Sequence, residues 1–275
     1  MKKIVWLASY PKSGNTWVRF LLANLLYPQH APMPLNRIGT LFPGDQNRIR
    51  FESIVGRSAS EMTPLEMHAA RSQLQKHYAR QDRTMFIKTH SAFVKEKRHW
   101  HINPRYTEGA ILIVRDPRDV VCSMTSHFDT DYKTSARWIG DFDRILLDIK
   151  QNSLWCRTLD WSGHYQSWTQ RLGPRCCIVR YEDLLDQPVT EMKRVLSFVN
   201  HTASDEAILN AISHSSFDVL KNIEEKEGFI EQSDKGSTFF QTGRKGRWID
   251  ELDPKIARKI ENDHKEVMGF LGYLD

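Results

Sequence analysis

The sequence IVWLASYPKSGNTW, residues 4–17, decides the fold. Its first six residues are an apolar run, typical of a buried parallel β-strand. After a turn at residues 10–14, apolar residues recur at helical spacing from Trp17 to Leu26. The chain is therefore predicted to open with a strand, a loop and a helix. Backbone N–H groups in such a loop, together with the helix N-terminus, form a site for an anion.

The side chains of this loop fit an anionic ligand. Lys12 supplies a cation, and Gly14 lets the backbone approach the ligand closely. Ser13, Asn15 and Thr16 supply further hydrogen-bond donors. The loop is not a Walker A motif, because its lysine precedes the glycine. A strand-to-helix turn capped by Ser13 or Thr16, with no ligand, is the alternative interpretation.

Apolar and periodic segments alternate along the rest of the chain, which favours a parallel sheet covered on both faces. We therefore predict one α/β domain over residues 1–275, with a central parallel sheet flanked by helices. Ligands of such sheets bind at the carboxyl ends of the strands. Further strands are predicted at 84–88, 109–114 and 176–180, and helices at 61–81, 118–124, 138–149, 161–172, 188–199, 204–213 and 254–268. Residues 28–60 are predicted to be irregular, and residues 222–247 to form a mobile loop.

Composition and charge narrow the function classes. The 275 residues are 40% hydrophobic and 27% charged, as in ordinary globular proteins. A formal net charge of +5 fits an anionic ligand, but it also fits nucleic acid or an anionic surface. Because the chain contains no run of about five basic residues, we do not expect a nucleic-acid partner. No stretch reaches the roughly 18 apolar residues of a membrane span, so no membrane partner is expected.

The N-terminus and the cysteines indicate a cytoplasmic location. Lys2 and Lys3 imitate the start of a signal peptide, but the apolar run that follows ends at Tyr10 and is too short for one. The cysteines show neither CxxC nor zinc-ligand spacing, so reduced thiols and no metal are expected. They are Cys122, Cys156, Cys176 and Cys177.

Lys88 and His90 end the second predicted strand. Two residues apart in an extended chain, they point to the same side. Histidine can remove a proton near neutral pH, and a neighbouring lysine can stabilise negative charge in a transition state. A structural role is the alternative for a lone histidine at a strand end.

Arg115 and Ser123 lie where the third predicted strand passes into a helix. Arginine offers a bidentate fork to phosphate, and serine a neutral donor. Asp116 and Pro117 fit the cap and the first position of that helix, which explains them without a ligand. Arg118 is expected to be a solvated charge on the helix.

These motifs together resemble those of the sulfotransferases that use 3′-phosphoadenosine 5′-phosphosulfate (PAPS). YPKSGNTW, residues 10–17, resembles the family's 5′-phosphosulfate loop YPKSGTTW, with Asn15 in place of a threonine. The family carries Lys-Thr-His where Lys88 and His90 stand, and its 3′-phosphate motif has an arginine and a serine at the separation of Arg115 and Ser123. The resemblance implies that His90 is the general base, and that Lys88 and Lys12 stabilise charge. It also implies that the donor is bound by Lys12, Ser13, Gly14, Asn15, Thr16, Trp17, Arg115 and Ser123.

Three further segments resemble family motifs. The family uses the tyrosine at Tyr181 to contact adenine, and Ser215 and Phe217 resemble residues that bind and stack on the base. Residues 241–248, QTGRKGRW, resemble the RKGxxGxW loop that closes over the 3′-phosphate. Aligned on its last glycine and tryptophan, Gln241 and Thr242 replace the expected Arg-Lys; aligned on Arg-Lys-Gly, the spacing to tryptophan is too short. The resemblance implies donor contacts by Gly243, Arg244, Lys245 and Gly246.

The resemblance implies a P-loop-like nucleotide-binding core. It predicts an enzyme that moves a sulfuryl group from PAPS to a hydroxyl or amine of a small-molecule acceptor, leaving 3′,5′-adenosine bisphosphate (PAP). Two insertions, near residues 28–83 and 127–160, are expected to shape the acceptor pocket. A homodimer is compatible with the sequence, which contains no signal for or against it. A P-loop-like nucleotide kinase, and a non-catalytic module that binds the nucleotide or a sulfated polymer, are the alternatives.

Overall fold

A computed structural model describes residues 4–146, 153–232 and 238–274. The strands are β1 (Ile4–Ser9), β2 (Met85–Thr89), β3 (Lys95–Glu96), β4 (His99–Trp100), β5 (Thr107–Val114), β6 (Ile145–Leu146), β7 (Cys156–Arg157) and β8 (Cys176–Arg180). The helices are α1 (Asn15–Leu26), α2 (Ile38–Leu41), α3 (Arg48–Val55), α4 (Pro64–Ala79), α5 (Pro117–Phe128), α6 (Tyr132–Ile139), α7 (Trp161–Leu172), α8 (Tyr181–Asp186), α9 (Pro188–Phe198), α10 (Asp205–His214), α11 (Phe217–Glu227), α12 (Arg247–Glu251), α13 (Pro254–Asp263) and α14 (Lys265–Phe270). Short 3₁₀ turns lie at Leu35–Arg37, Ala59–Glu61, Pro104–Tyr106 and Gly173–Arg175.

The chain divides into two compact units. Unit 1 comprises Met1–Tyr10, Phe42–Leu112 and Asp141–Ile178. Unit 2 comprises Pro11–Leu41, Ile113–Gly140 and Val179–Asp275.

The main sheet has the strand order β2-β1-β5-β8, in which β1 and β2 are parallel. Every residue of β1 is buried, as its continuous apolar run predicts. Within unit 1, α4 packs on β1, and Trp168 of α7 contacts Trp6 of β1 with ring centroids 6.4 Å apart. The Trp6 indole N–H donates to Thr107 Oγ1 at 3.0 Å, so its one polar atom is satisfied inside the core. The predicted α/β class with a parallel sheet is confirmed.

Unit 2 is built mainly from helices. α1 packs against α10, and α5 packs against both α6 and α12. Phenylalanines form an aromatic cluster in which Phe229 and Phe240 stack with centroids 5.7 Å apart. Among the helices of the described residues, none has the length and apolar character needed to cross a membrane.

Four sequence predictions of secondary structure were wrong in part. The helix expected at 138–149 ends as α6 at Ile139, and Ile145–Leu146 belong to β6, which pairs with β7. Phe142 and Ile145 are 60% and 52% exposed, so their apolar spacing does not mark a buried helix face. The later part of this prediction, 147–149, lies outside the described residues.

The other three differences concern short helices. The region 28–60 contains α2 and α3, each too short to show a clear period. The loop predicted at 222–247 begins inside α11, which continues to Glu227, and its residues 233–237 lie outside the described ranges. The final helix is divided into α13 and α14 at His264, whose backbone leaves the helical region.

Candidate active site

The loop between β1 and α1 closes onto an aromatic ring. Gly14 has φ +98°, in the left-handed region, and caps α1. A Cβ atom at this position would lie 2.6 Å from the ring of Tyr181, so backbone conformation and space both require glycine. The Ser13 side chain is buried, and its Oγ atom has no hydrogen-bond partner. A buried polar atom without a partner needs an explanation, and a bound anion would provide one.

Arg115 lies at the end of β5, next to the same ring. Its guanidinium is 4.4 Å from the centroid of Tyr181, and its Nη2 donates to the carbonyl of Arg244 at 3.0 Å. The side chain is 3.8 Å from the carboxylate of Asp119, while its buried Nε–H has no hydrogen-bond partner. Arg115 therefore has a fixed orientation and retains a donor for a ligand.

Asp119 of α5 fixes the start of α12. Its carboxylate accepts the backbone N–H of Gly246 at 2.7 Å and that of Trp248 at 3.0 Å. Burial raises the pKa of Asp119, while the charge of Arg115 and these two hydrogen bonds oppose the rise. The helix that presents Ser123 thus also fixes the loop that precedes α12.

These elements of unit 2 surround a pocket. Its lining includes six residues predicted from the sequence: Lys12, Arg115, Ser123, Tyr181, Phe217 and Gly243. It also includes Phe239, Gln241, Thr242 and Arg247. Among the described residues that line the pocket, three side chains are cationic and none is acidic, which favours a ligand with several negative charges.

Phe217 and Gly243 meet closely at this pocket. Gly243 has φ +60°, and a Cβ atom there would lie 2.3 Å from the Phe217 ring. Phe217 begins α11, whose first turn is capped by the Ser216 hydroxyl accepting from the N–H of Val219. Phe217 and Tyr181 thereby offer two aromatic rings to a flat base.

The remaining predicted donor residues lie outside the pocket lining. Ser215 is buried: its carbonyl accepts from the Trp17 indole, and its hydroxyl from Asn24. Arg244 pairs with Asp250 at 3.2 Å, and Lys245 pairs with Asp186, both at the surface. Asn15 and Thr16 are buried in the first turn of α1.

The lining therefore contains Gln241 and Thr242 rather than Arg244 and Lys245. This agrees with the alignment of the loop on its last glycine and tryptophan. Arg247 supplies the cation that those two polar residues lack, and Glu251 orients it through a hydrogen bond of 2.8 Å.

The prediction that Arg118 is solvated was wrong. The side chain is buried, pairs with Asp116 at 2.7 Å and with Glu261 at 2.6 Å, and stacks 3.8 Å from the ring centroid of Trp248. These carboxylates compensate its charge inside the fold, so Arg118 is a structural residue. Glu261 and Trp248 lie far from Arg118 in the sequence, so no local sequence pattern predicts these two contacts.

Lys88 and His90 belong to unit 1. Burial alternates along β2, so Phe86, Lys88 and His90 share the less buried face, as predicted. The Lys88 N–H donates to the carbonyl of Pro43 at 2.9 Å, and its carbonyl accepts from the N–H of Asp45 at 3.0 Å. These two bonds fix the backbone of the strand end.

The hydrogen bonds of His90 define its tautomer. Its Nδ1 lies 2.9 Å from the carbonyl oxygen of Ser9, which can only accept. A neutral His90 that donates to this carbonyl carries its proton on Nδ1 and the lone pair on Nε2, and the Ser9 hydroxyl lies 3.3 Å from the same Nδ1. The buried His164 side chain bonds to the His90 backbone and contacts Tyr10 edge-on at 5.8 Å. The His90 imidazole is thus oriented to accept a proton.

The pocket lining fits an adenine nucleotide with two phosphorylated positions. Ser13 Oγ and Arg115 Nε are buried donors without a hydrogen-bond partner. The cations Lys12, Arg115 and Arg247 suit phosphate or sulfate oxygens, and the rings of Tyr181 and Phe217 suit a base. Phe239 and Arg247 were not among the predicted donor residues. Phe239 was not predicted because residues 222–247 are polar and glycine-rich in composition. Arg247 was not assigned because the alignment of its loop is ambiguous.

Comparison with known proteins identifies a family. The model of the Sulfotransferase domain matches residues 2–272. Cytosolic sulfotransferase 16 of Arabidopsis thaliana is 27% identical over 174 residues, which is 60% of this chain and 52% of that protein. Flavonol 3-sulfotransferase of Flaveria bidentis is 22% identical over 98% of this chain and 82% of its own length.

A solved structure shows the same fold. Retinol dehydratase, in complex with androsterone and the inactive cofactor PAP, superposes with a TM-score of 0.67 and is 18% identical. The match covers 96% of this chain and 80% of that one. The match to cytosolic sulfotransferase 16, by contrast, spans about half of that relative, 52% of its length.

Proposed function

Because the chain belongs to the Sulfotransferase domain family, we propose that it transfers a sulfuryl group from PAPS to a hydroxyl or amine of a small-molecule acceptor. The observation that carries this proposal is the pocket of unit 2, in which three cationic and three aromatic side chains of the described residues line one cavity. No acidic residue lines it within the ranges that the structure describes, so a dianionic or more highly charged nucleotide suits it electrostatically.

The donor is held by its two phosphorylated positions. Ser13, Gly14 and the N-terminus of α1 bind the 5′-phosphosulfate, with Lys12 as the cation. Arg115, Ser123 and Arg247 bind the 3′-phosphate, which distinguishes PAPS from other adenine nucleotides. The orphaned Nε–H of Arg115 supports this assignment, since phosphate would satisfy it. Tyr181 and Phe217 bind the adenine.

His90 removes the proton of the acceptor. PAPS supplies the sulfuryl group, whose bond from sulfur to the phosphate oxygen breaks as a bond from sulfur to the acceptor oxygen or nitrogen forms. The proton moves to His90 Nε2, and the Nδ1–H bond to Ser9 keeps that nitrogen available in the correct tautomer. Lys88 and Lys12 stabilise the charge that develops on the transferred group and on the leaving phosphate.

A small acceptor and a cytoplasmic location complete the proposal. Flavonol 3-sulfotransferase is named for a small hydroxyl-bearing compound, and cytosolic sulfotransferase 16 for its compartment. The four cysteines are free, as expected for a reducing compartment.

Calorimetry and turnover test the two halves of the proposal. We expect PAP to bind more tightly than 5′-AMP, and Arg115→Ala to weaken PAP by about 10- to 100-fold, the value of a lost charge-assisted hydrogen bond. We expect His90→Asn, which can still donate to Ser9 but has no basic nitrogen, to retain PAP binding. Transfer from PAPS to a panel of phenols, alcohols and amines should fall by about 10²- to 10⁴-fold in that variant.

Arg137→Ala is the matched control, because Arg137 is an exposed arginine of unit 2. It should bind PAP as the wild type does. Equal affinity for PAP and 5′-AMP would overturn the donor assignment, and binding of ATP with Mg²⁺ would then favour a kinase. PAP binding without transfer to any acceptor class would favour a non-catalytic binding module.

A further inference from the structure

Two histidines and a glutamate meet in unit 1, away from the residues assigned to PAPS. His68 lies on α4, Glu96 on β3, and His101 directly after β4. The Nε2 atoms of His68 and His101 are 3.1 Å and 3.2 Å from the same oxygen of Glu96. One ligand atom from each residue lies within 4.8 Å of the other two. We refer to these three residues as the His-Glu-His cluster.

The cluster is fixed by its backbone. β3 and β4 form a hairpin in which Glu96 faces His99, and the N–H of His101 donates to the carbonyl of Val94 at 3.1 Å. α4 packs against β4, and the Gln75 side chain donates to the His101 carbonyl at 2.6 Å. The three side chains therefore have defined positions without any ligand, as a preformed metal site requires.

Both imidazoles are buried. His68 is 2% exposed and His101 is fully buried. Their ring centroids lie 3.9 Å apart, and two imidazolium ions at that distance would repel each other. Neutral imidazole is the form that binds metals.

Hydrogen bonds explain only part of the geometry of the cluster, namely the contact of His101 Nε2 with the Glu96 carboxylate at 3.2 Å. His68 Nε2 approaches Glu96 closely, yet it is not aligned for a hydrogen bond, and neither histidine has a partner for its buried Nδ1. Ligands around a tetrahedral ion lie about 3.3 Å from one another, given bonds of about 2.0–2.1 Å. Each nitrogen then points at the ion rather than at the neighbouring oxygen, so close but misaligned contacts are expected.

We propose that the His-Glu-His cluster binds a zinc ion. Two imidazole nitrogens and one carboxylate oxygen are ligands that Zn²⁺ takes readily, with a fourth position open to water. The Glu96 side chain is 39% exposed, which gives the ion and that water a path from solvent. The ion would join α4 to the β3–β4 hairpin. The three ligands come from distant parts of the sequence, so no spacing motif predicts them.

The positive groups near the cluster are themselves paired. Arg71 pairs with the buried Asp45 at 3.4 Å. Arg157 lies 3.8 Å from the second oxygen of Glu96 and also pairs with Asp143. The carboxylates offset these guanidinium charges, and the Glu96 oxygen that faces both histidines is not the one nearest Arg157.

Zinc titration of the full chain, after removal of bound metal with a chelator, tests the proposal. We expect one equivalent of Zn²⁺ to bind by calorimetry and to raise the unfolding temperature. Co²⁺ should give the visible absorption bands of a tetrahedral site. Glu96→Gln preserves size and a hydrogen-bonding oxygen but removes the charge, and His101→Gln removes one nitrogen; each should weaken zinc by about 100-fold or more.

His77→Gln on the same helix α4 is the matched control, since His77 is exposed and outside the cluster. It should bind zinc as the wild type does. The absence of a one-equivalent site in the wild type overturns the proposal, whatever the variants do. So does zinc binding that survives unchanged in Glu96→Gln and His101→Gln. PAP binding by the same samples reports separately on the nucleotide pocket, and a failure there leaves the zinc result interpretable.

Discussion

At the scale of single residues, two glycines of unit 2 lie where the backbone passes against an aromatic ring. Gly14 approaches Tyr181, and Gly243 approaches Phe217. In both cases the ring belongs to the pocket lining, so the glycine sets where that ring can stand. A change in the conformation of either glycine loop would therefore also move the neighbouring ring.

Gly14→Ala, compared with a control glycine, distinguishes the overlap with the Tyr181 ring from the strain of a left-handed backbone. We expect a loss of about 2–4 kcal/mol in the free energy of unfolding, from a left-handed alanine and from the overlap with Tyr181. PAP affinity should fall as well, because Tyr181 must move. Urea unfolding and calorimetry measure the two effects.

Gly56→Ala is the matched control. Gly56 has φ +74°, but nothing lies within 4 Å of the position its Cβ would take. It should lose only about 1–2 kcal/mol and leave PAP binding unchanged. Equal losses in the two variants would contradict the close approach to Tyr181.

Where short local motifs carry the predicted chemistry, the structure brings their residues to one pocket, and the roles of these residues stay predictions. Lys12, Arg115 and Ser123 each follow a strand within a short motif, and each lines the pocket. The sequence predicted poorly where a side chain depends on distant partners. Arg118 is buried because Glu261 and Trp248 reach it from far along the chain, and Phe239 lines the pocket through a loop without periodicity.

At the scale of elements, α7 and β8 lie at the residues predicted, and β2 is displaced by one residue. Strong periodicity and clear turn residues fix these elements locally. The short elements β6 and α3 were not predicted, since two to eight residues give too little periodicity and their pairing depends on tertiary contacts. Helix caps are the local signals that can be tested directly.

The cap of α11 connects an element to the pocket. Ser216 Oγ accepts the N–H of Val219 and fixes the helix turn that presents Phe217. Ser216→Ala should lower the free energy of unfolding by about 1 kcal/mol, the usual value of a cap, and should weaken PAP binding. Ser204→Ala removes the equivalent cap of α10, whose residues do not line the pocket. It should cost about the same stability and leave affinity unchanged; an equal loss of affinity in both variants would argue against local presentation of Phe217.

At the scale of the whole molecule, buried histidines of unit 1 make the free energy of unfolding sensitive to acid. His68, His101 and His164 are buried there, and burial lowers the pKa of His164 to about 3. Below the ordinary histidine pKa of 6.5, the unfolded chain takes up protons that the folded chain does not. Stability is therefore retained above that pH and is lost as the pH falls towards the folded-state values.

His164→Gln should make unfolding less dependent on pH. Each such histidine contributes a slope of about 1.4 kcal/mol per pH unit, so the variant should lose about that much slope between pH 6 and pH 4. Urea unfolding with a chelator present, which removes any effect of metal on the other two histidines, measures it. His30→Gln, at an exposed position, should keep the wild-type slope. An unchanged slope in His164→Gln would mean that this histidine is protonated inside the fold.

Neither unit is a continuous stretch of chain. Each is assembled from three segments, so the polypeptide passes from one unit to the other at five junctions: 10/11, 41/42, 112/113, 140/141 and 178/179. A genetic crossover at a single point between residues 11 and 178 leaves each unit with parts from both parents. Exchange of a whole unit between relatives would require every junction to be replaced together. Because exchange of a whole unit needs all five junctions, we expect point substitution and insertion within a segment to be simpler routes to a new specificity than recombination.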